Sequence, residues 1–177
     1  MVSISGVSKP QPSQPGSPLQ RIFLNTVGEK LTRLTAKLSF GTVVAATLDE
    51  TSTFTERQRA ERMSYIMNTP HVRMLFEAIF DTTFPYEKRW PGTDNDAAQA
   101  RRGGLPLEQI AAPTLLIHGR QDGDVPFEHG EFAAERIPHA ERHWIEHDDH
   151  LGFWLSPGAG QAQSVARAFL RRHAAST

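Results

Sequence analysis

Thr114-Leu115-Leu116-Ile117-His118 is an unbroken apolar stretch of mostly branched side chains, closed off by Pro113 before it and followed by Gly119. A run this short between two breakers is a strand, and one without polar alternation has no face to give to water. It must be covered on both sides, as a parallel strand is when its neighbours arrive through helical crossovers. The downstream sequence supplies those crossovers. Glu128 to Ile137 reads as a helix, Arg142 to Glu146 as a further strand, and Gln161 to Arg172 as a closing helix carrying Val165, Ala168 and Phe169. Arg171 and Arg172 sit where the negative end of that helix's dipole favours them. Strand, helix, strand, helix is a βαβα unit with a right-handed crossover, so the expected class is α/β.

Upstream, the pattern is different. Val2 to Ser5 alternates apolar and hydroxylated residues until Gly6 and reads as the end of a short strand whose beginning is missing. Pro10, Pro12, Pro15 and Pro18 then fall among Ser, Gln and Gly, a composition that holds neither a helix nor a central strand. From Leu19 the residues Leu19, Ile22, Phe23, Val27, Leu31, Leu34 and Leu38 keep the 3.6-residue period of an amphipathic helix with one face to bury. Thr53 with Glu56, and Thr55 with Gln58, each offer a capping box ahead of a helix over Arg57 to Met67. Thr69-Pro70 ends that helix and starts another, with Val72, Leu75, Phe76, Ile79 and Phe80 along one face. Tyr86 to Gly104 is polar and broken by Pro91, Gly92, Gly103 and Gly104, leaving room for a short helix at Asp94 to Arg101. Three regions follow: 1–9, a strand end and the start of a linker; 10–104, a helical segment with a Pro-rich linker; and 105–177, the α/β portion.

Lys and Arg number 19 against 20 Asp and Glu, so bulk charge recruits neither nucleic acid nor an anionic membrane. The absence of cysteine removes disulfides, thiolate metal sites and a Cys nucleophile from the chain, and is in keeping with a reducing cytoplasm. The start has no basic region followed by an apolar run, and no stretch approaches the roughly 20 apolar residues of a spanning helix, so a cytoplasmic protein is expected.

Two residues carry the chemistry. Asp122 lies four residues beyond His118, and His150 four beyond Glu146, so each follows a predicted strand. In an open parallel sheet, loops at the carboxyl ends of neighbouring strands share one edge, and reactive groups collect there. An Asp beside a His holds the imidazole in one tautomer and stabilises its charged form, leaving the other nitrogen to take a proton from a nucleophile. Asp122-Gly123 is also a turn dipeptide, and Asp124, the competing acid, precedes Val125-Pro126 and reads as shaping the loop. His139, His143, His147 and His150 are spaced by four, four and three, which would align them as metal ligands on a helix. The alternating Arg142-His143-Trp144-Ile145-Glu146 favours a strand, which sends them to different faces, and no metal or other cofactor is expected. Phe76, Phe80 and Phe84 are candidates to line an apolar substrate pocket, with core packing as the plain alternative. Trp154 reads as covering the core.

Gln109 to Pro126, and within it His118-Gly119-Arg120-Gln121-Asp122, resembles the seventh-strand segment of α/β-hydrolase fold enzymes, where the Asp after His-Gly-x-x is the triad acid. Asp148-Asp149-His150 resembles the loop after the eighth strand that carries the triad histidine, with Asp-Asp-His standing where that family often has Gly-Gly-His or Gly-His. The resemblance is strong over residues 107 to 172 and architectural before that. It implies the C-terminal part of an α/β-hydrolase sheet, about three parallel strands, with a helical cap inserted after a sixth-strand remnant at Val2 to Gly6. It also implies that Asp122 and His150 are the acid and base of a nucleophile-His-Asp triad hydrolysing an ester or related bond of a small-molecule substrate. The nucleophile and the oxyanion-hole loop would precede residue 1. No Gly-x-Ser-x-Gly occurs in the chain; Ser39 has only the trailing Gly41 and ends a predicted helix, while Ser3 and Ser5 sit on the strand. The rival readings are a non-catalytic binding or interaction module and one half of a split hydrolase, and an open sheet edge would invite self-association.

Overall fold

All five residues of Leu115–Gly119 are buried, and they form β2, the central strand of a three-stranded parallel sheet ordered β1-β2-β3. The computed structural model describes residues 1–10, 26–102 and 104–174 of the 177. Val2–Ile4 (β1) pairs in register with Leu115 to Ile117, and Glu141–Ile145 (β3) with Leu115 to Gly119.

The unbroken apolar run at β2 has the cause inferred from it. Leu115 and Ile117 point to one face and pack with Phe153, Ala162, Ala166 and Phe169, while Leu116 points to the other and packs with Leu107, Ala133 and Ile137. Each such side chain withdrawn from water contributes about 1.5–3 kcal/mol.

Among the described residues, five α-helices lie between β1 and β2, α1 (Thr26–Leu38), α2 (Phe40–Thr51), α3 (Glu56–Asn68), α4 (Pro70–Thr82) and α5 (Tyr86–Arg102), followed by a single 3-10 turn at Leu107–Gln109. After β2 come α6 (Glu128–Arg136), β3, a short α7 (Gly152–Leu155) and α8 (Ala159–Ala174). The helical layer has its own core of Val44, Leu48, Phe54, Ile66, Val72 and Phe76, and Leu155 of α7 joins it to the sheet. Among the described residues, no helix is long and apolar enough to cross a membrane.

The local signals and the observed elements differ in four places. The capping box that forms is Thr55 with Gln58, which fixes the start of α3. Helix α2 carried no expectation, because Thr42, Val43, Val44 and Thr47 are β-branched and poor helix formers. It is helical because burying Val44 and Leu48 in the layer's core outweighs that weak preference. Helix α5 runs straight through Pro91 and Gly92 instead of starting at Asp94. Its first turn is held independently: the Tyr86 N–H donates to Glu29 Oε2 of α1 at 3.2 Å, and the Tyr86 ring packs on buried Phe84. The apolar stripe of α1 faces outward, with Leu31 and Leu34 about half exposed and Leu38 more so, contrary to the expectation that this face is buried. The expected beginning of that helix, from Leu19, and most of the Pro-rich linker lie outside the described residues.

Candidate functional site

β2 ends at Gly119, and the chain turns at once through a loop built on the Asp122 carboxylate. Asp122 Oδ1 accepts from the backbone N–H groups of Asp124 at 3.0 Å and Val125 at 2.8 Å. The turn role and the acid role therefore belong to the same residue. Oδ2 faces two imidazoles, His118 Nε2 at 3.3 Å and His150 Nδ1 at 3.0 Å, and His150 Nδ1 is also 3.2 Å from Oδ1. His118 Nε2 lies 2.9 Å from the Val125 carbonyl, which can only accept, so that nitrogen carries the proton. A carboxylate with a fully buried side chain thus has partners for both oxygens, which is what makes its charge tolerable there.

His150 sits at the tip of the loop after β3, its side chain 25% exposed. With Asp122 ionised, Nδ1 carries the proton and Nε2 is left as a base. Asp124 Oδ2 lies 3.6 Å from that Nε2, so the imidazole stands between two carboxylates.

The two loops meet because of glycine. A Cβ on Gly119 would lie 2.4 Å from the Asp148 carbonyl oxygen and 2.6 Å from that of Asp149. The end of α2 closes the arrangement from the helical side. Ser52 and Asp122 form an antiparallel bridge, Thr53 N–H donates to Gln121 O, and Thr51 O accepts from both Gly123 N–H (3.0 Å) and His150 N–H (3.3 Å). From α3, Arg62 reaches the loop before His150, pairing with Asp148 and, at 3.2 Å, with Asp149.

Burial alone would raise the Asp122 carboxyl. The hydrogen bonds from His118 and His150, the His150 charge and the Val125 N–H outweigh it and hold the group well below the usual carboxylate range. For His150, burial acts to lower the imidazole, and the Asp122 hydrogen bond and charge, with Asp124 and Asp149, more than reverse this, so it is raised. The two shifts agree in sign with a coupled ion pair. Asp149 behaves differently. Burial pushes it up against the opposing charge of Arg62, the Asp148 charge adds to the rise, and it reaches about 6. Its Oδ2 is buried with no hydrogen-bond partner among the described residues.

Other residues raised by the sequence fall elsewhere. Phe76 and Phe84 are buried and Phe80 is half-buried; the three belong to a chain of edge-to-face rings that also includes Phe40. Trp154 is exposed and edges against Phe153. His139 lies in the turn after α6 and His143 on β3, so the helical alignment does not occur, and among the described residues no group of three metal-ligating side chains could hold an ion. Ser39 stands at the residue before α2 with its hydroxyl 2.9 Å from that of Thr42, and Ser3 is on β1. Ser5 lies just past the strand with φ of 47°, a left-handed conformation, instead of on it. A cavity of about 480 Å3 opens at the other end of the sheet beside Pro113, Thr114 and Glu141, away from Asp122 and His150.

Sequence reasoning missed Arg62 and the contact of His118 with Asp122. Arg62 precedes Ile66 by one helical turn and so shares the core-facing side of α3; a charge on an apolar face is the signal that would have found it.

No protein-family profile and no curated protein matches this sequence. Solved structures do. An α/β-hydrolase fold protein from Nakamurella multipartita superposes with a TM-score of 0.81 at 29% identity, over 96% of this chain and 60% of that one. A thermophilic esterase from Thermogutta terrifontis, solved with malate bound, gives a TM-score of 0.50 at 21% identity, over 97% of this chain and 56% of that one. A bromoperoxidase from Bacillus anthracis matches 37% of this chain at 34% identity with a TM-score of 0.33. The fold is that of the α/β-hydrolases. Its three parallel strands and their helices are consistent with the C-terminal portion of that fold, and the chain spans 60% of the length of the first of these relatives.

Proposed function

We propose that this chain supplies the acid and base of a hydrolase, and that Asp122 orients His150 and stabilises the charge it gains on proton transfer from a nucleophile held on the remainder of the fold. The α/β-hydrolase fold of its structural neighbours, one of them an esterase, supports hydrolase-like chemistry on a small-molecule substrate. The observation that carries the reading is the contact of His150 Nδ1 with both oxygens of a buried, ionised Asp122. It leaves Nε2 as the proton acceptor on the exposed side. In the reaction, Nε2 takes the nucleophile's proton as it attacks an ester carbonyl, gives it to the departing alcohol, and then activates water against the covalent intermediate. The helical layer is the proposed cap, with half-buried Phe80 as its apolar wall and Phe76 and Phe84 packed in the layer behind it.

The chain alone is expected to show no turnover of p-nitrophenyl esters. No serine hydroxyl among the described residues is hydrogen-bonded to His150. Co-expression with a polypeptide bearing the strand, nucleophile elbow and oxyanion loop of this fold should produce turnover, and His150→Ala in this chain should abolish it. Turnover by the chain alone that survives His150→Ala would overturn the reading. A second reading, one half of a split hydrolase, is favoured by β1: it is an edge strand among the described residues, and its outer side is where a partner chain would pair.

A further inference from the structure

Among the described residues, Arg62 is the buried cation whose partners both adjoin the proposed base. It belongs to the helical layer, on the same side of α3 as the fully buried Ile66, and its own side chain is 8% exposed. Its two terminal nitrogens divide between two consecutive carboxylates: one meets Asp148 Oδ1, and the other meets Asp149 Oδ1 at 3.2 Å. The guanidinium carbon lies over the Phe54 ring, 5.1 Å from its centre. Asp148 and Asp149 are the two residues before His150. Their backbone is gripped too, with Gln121 N–H donating to Asp148 O at 2.9 Å and Gly152 N–H to Asp149 O at 3.2 Å. A Cβ on Gly152 would lie 2.4 Å from Asp148 Cγ, so glycine makes room for the carboxylate that Arg62 holds.

Three buried charges in one place are a poor way to gain stability, since desolvation consumes most of the attraction. The orphaned Asp149 Oδ2 shows the cost directly. What a two-pronged guanidinium does supply is geometry: a rigid fork fixes two acceptors relative to one donor plane. Here the fixed acceptors carry the backbone of the loop on which the imidazole hangs.

We infer that Arg62 is a positioning residue for His150, locking the loop of the base to α3 so that the helical layer sets where the imidazole stands relative to Asp122. This rests on the acid and base reading of Asp122 and His150. The consequence is mechanical: a displacement of α3 acts on the loop of the base through Arg62, while α3 meets the Asp122 loop by one side-chain hydrogen bond, Gln58 Nε2 to Gln121 Oε1 at 3.0 Å, and Thr51 O ties both loops to the end of α2.

Arg62→Lys separates position from charge, because every formal charge is kept and only the fork is lost. The test is proton and nitrogen NMR of the full chain, following the His150 Nδ1 proton bonded to Asp122 and the titration midpoint of His150, with thermal unfolding measured alongside. Wild type should show a protected, downfield Nδ1 proton and a midpoint above that of an ordinary histidine. In folded Arg62→Lys that proton should broaden or vanish and the midpoint should fall back toward the ordinary value. Unchanged His150 signals in folded Arg62→Lys would overturn the inference. If that variant does not fold, the combination of Arg62→Met with Asp148→Asn and Asp149→Asn removes all three charges, and an Nδ1 proton identical to wild type would overturn it equally. A wild-type chain in which His150 has no such proton and an ordinary midpoint is a different result, since it removes the acid and base reading itself.

Discussion

Gly119 and Asp148 lie so close that a Cβ on the glycine would fall 2.4 Å from the carbonyl oxygen of the aspartate. This contact joins the end of the strand leading to Asp122 with the start of the loop leading to His150. The hydrogen bond between two residues 28 apart in sequence is therefore a product of backbone approach, with the side chains falling into line behind it.

Gly119→Ala tests that approach. The added methyl meets backbone, which cannot swing away as a side chain end could, so the loop before His150 must retreat. Overpacking of this kind costs about 1–3 kcal/mol. The expected outcome is a lowered midpoint of thermal unfolding together with a His150 titration shifted toward the ordinary imidazole value; an unchanged titration would show that the glycine does not set the pair's geometry.

Asp122→Asn replaces an acceptor pair by one acceptor and one donor. The amide oxygen can keep the Asp124 and Val125 N–H groups, but its NH2 then faces the protonated nitrogens of His118 and His150. His118 retains the Val125 carbonyl, while His150 must change tautomer or turn away. A loss of about 1–3 kcal/mol is expected from the broken bonds. Burial, then opposed only by the Asp124 and Asp149 charges, should pull the His150 midpoint down from its raised value. Asp122→Asn should also lose the acid limb of the wild-type stability profile. With its folded-state value depressed, Asp122 contributes stability above the usual carboxylate range and loses it as pH falls through the depressed value. The raised His150 contributes below the ordinary imidazole value and loses its share as pH rises through the raised one. Chemical denaturation of both proteins from acid to mildly alkaline pH checks each limb.

Asp149 predicts the opposite slope. Its carboxyl is raised from 3.8 to about 6, so the folded chain binds that proton more tightly than the unfolded chain does. Between those two values stability should fall as pH rises, by up to about 3 kcal/mol for a shift of this size. Asp149→Asn should remove that decline while leaving Arg62 its pairing with Asp148. Urea midpoints measured from acid to neutral pH decide it, and a decline that persists in the variant would assign it to another group.

The legible parts of the sequence were those where one requirement dictates residue type. Leu115 to Ile117 could be read because burial on both faces permits no polar position, and Asp122 and His150 because each follows a strand tip on the same sheet edge. Helix α2 was not legible, since its helicity comes from packing Val44 and Leu48 against partners that the local sequence does not announce. The stripe of Leu31, Leu34 and Leu38 has the right period and lies on the outside of the layer, because periodicity reports which residues share a face and not what covers it. Arg62 acts on residues 86 and 87 positions away, a relation that no local window contains.

The edge of the sheet carries the last prediction. Leu115 N–H donates to Met1 O and Ser5 N–H to Ile117 O, so in the parallel ladder Met1, Ser3 and Ser5 face β2, and the backbone groups of Val2 and Ile4 point outward. Those groups have no strand beside them among the described residues, while both side chains are half-buried against the core on the α8 side. A strand edge whose backbone groups lack partners can pair with other extended backbone, a second copy of the chain included. Sedimentation velocity over a range of concentrations should show the average mass rising above the 19.7 kDa of one chain. Val2→Pro removes one outward donor at the first position of the strand, where proline is tolerated, and should shift the association to higher concentration. A strict monomer at every concentration, with Val2 and Ile4 amides slow to exchange, would mean that the edge is already covered from within the chain.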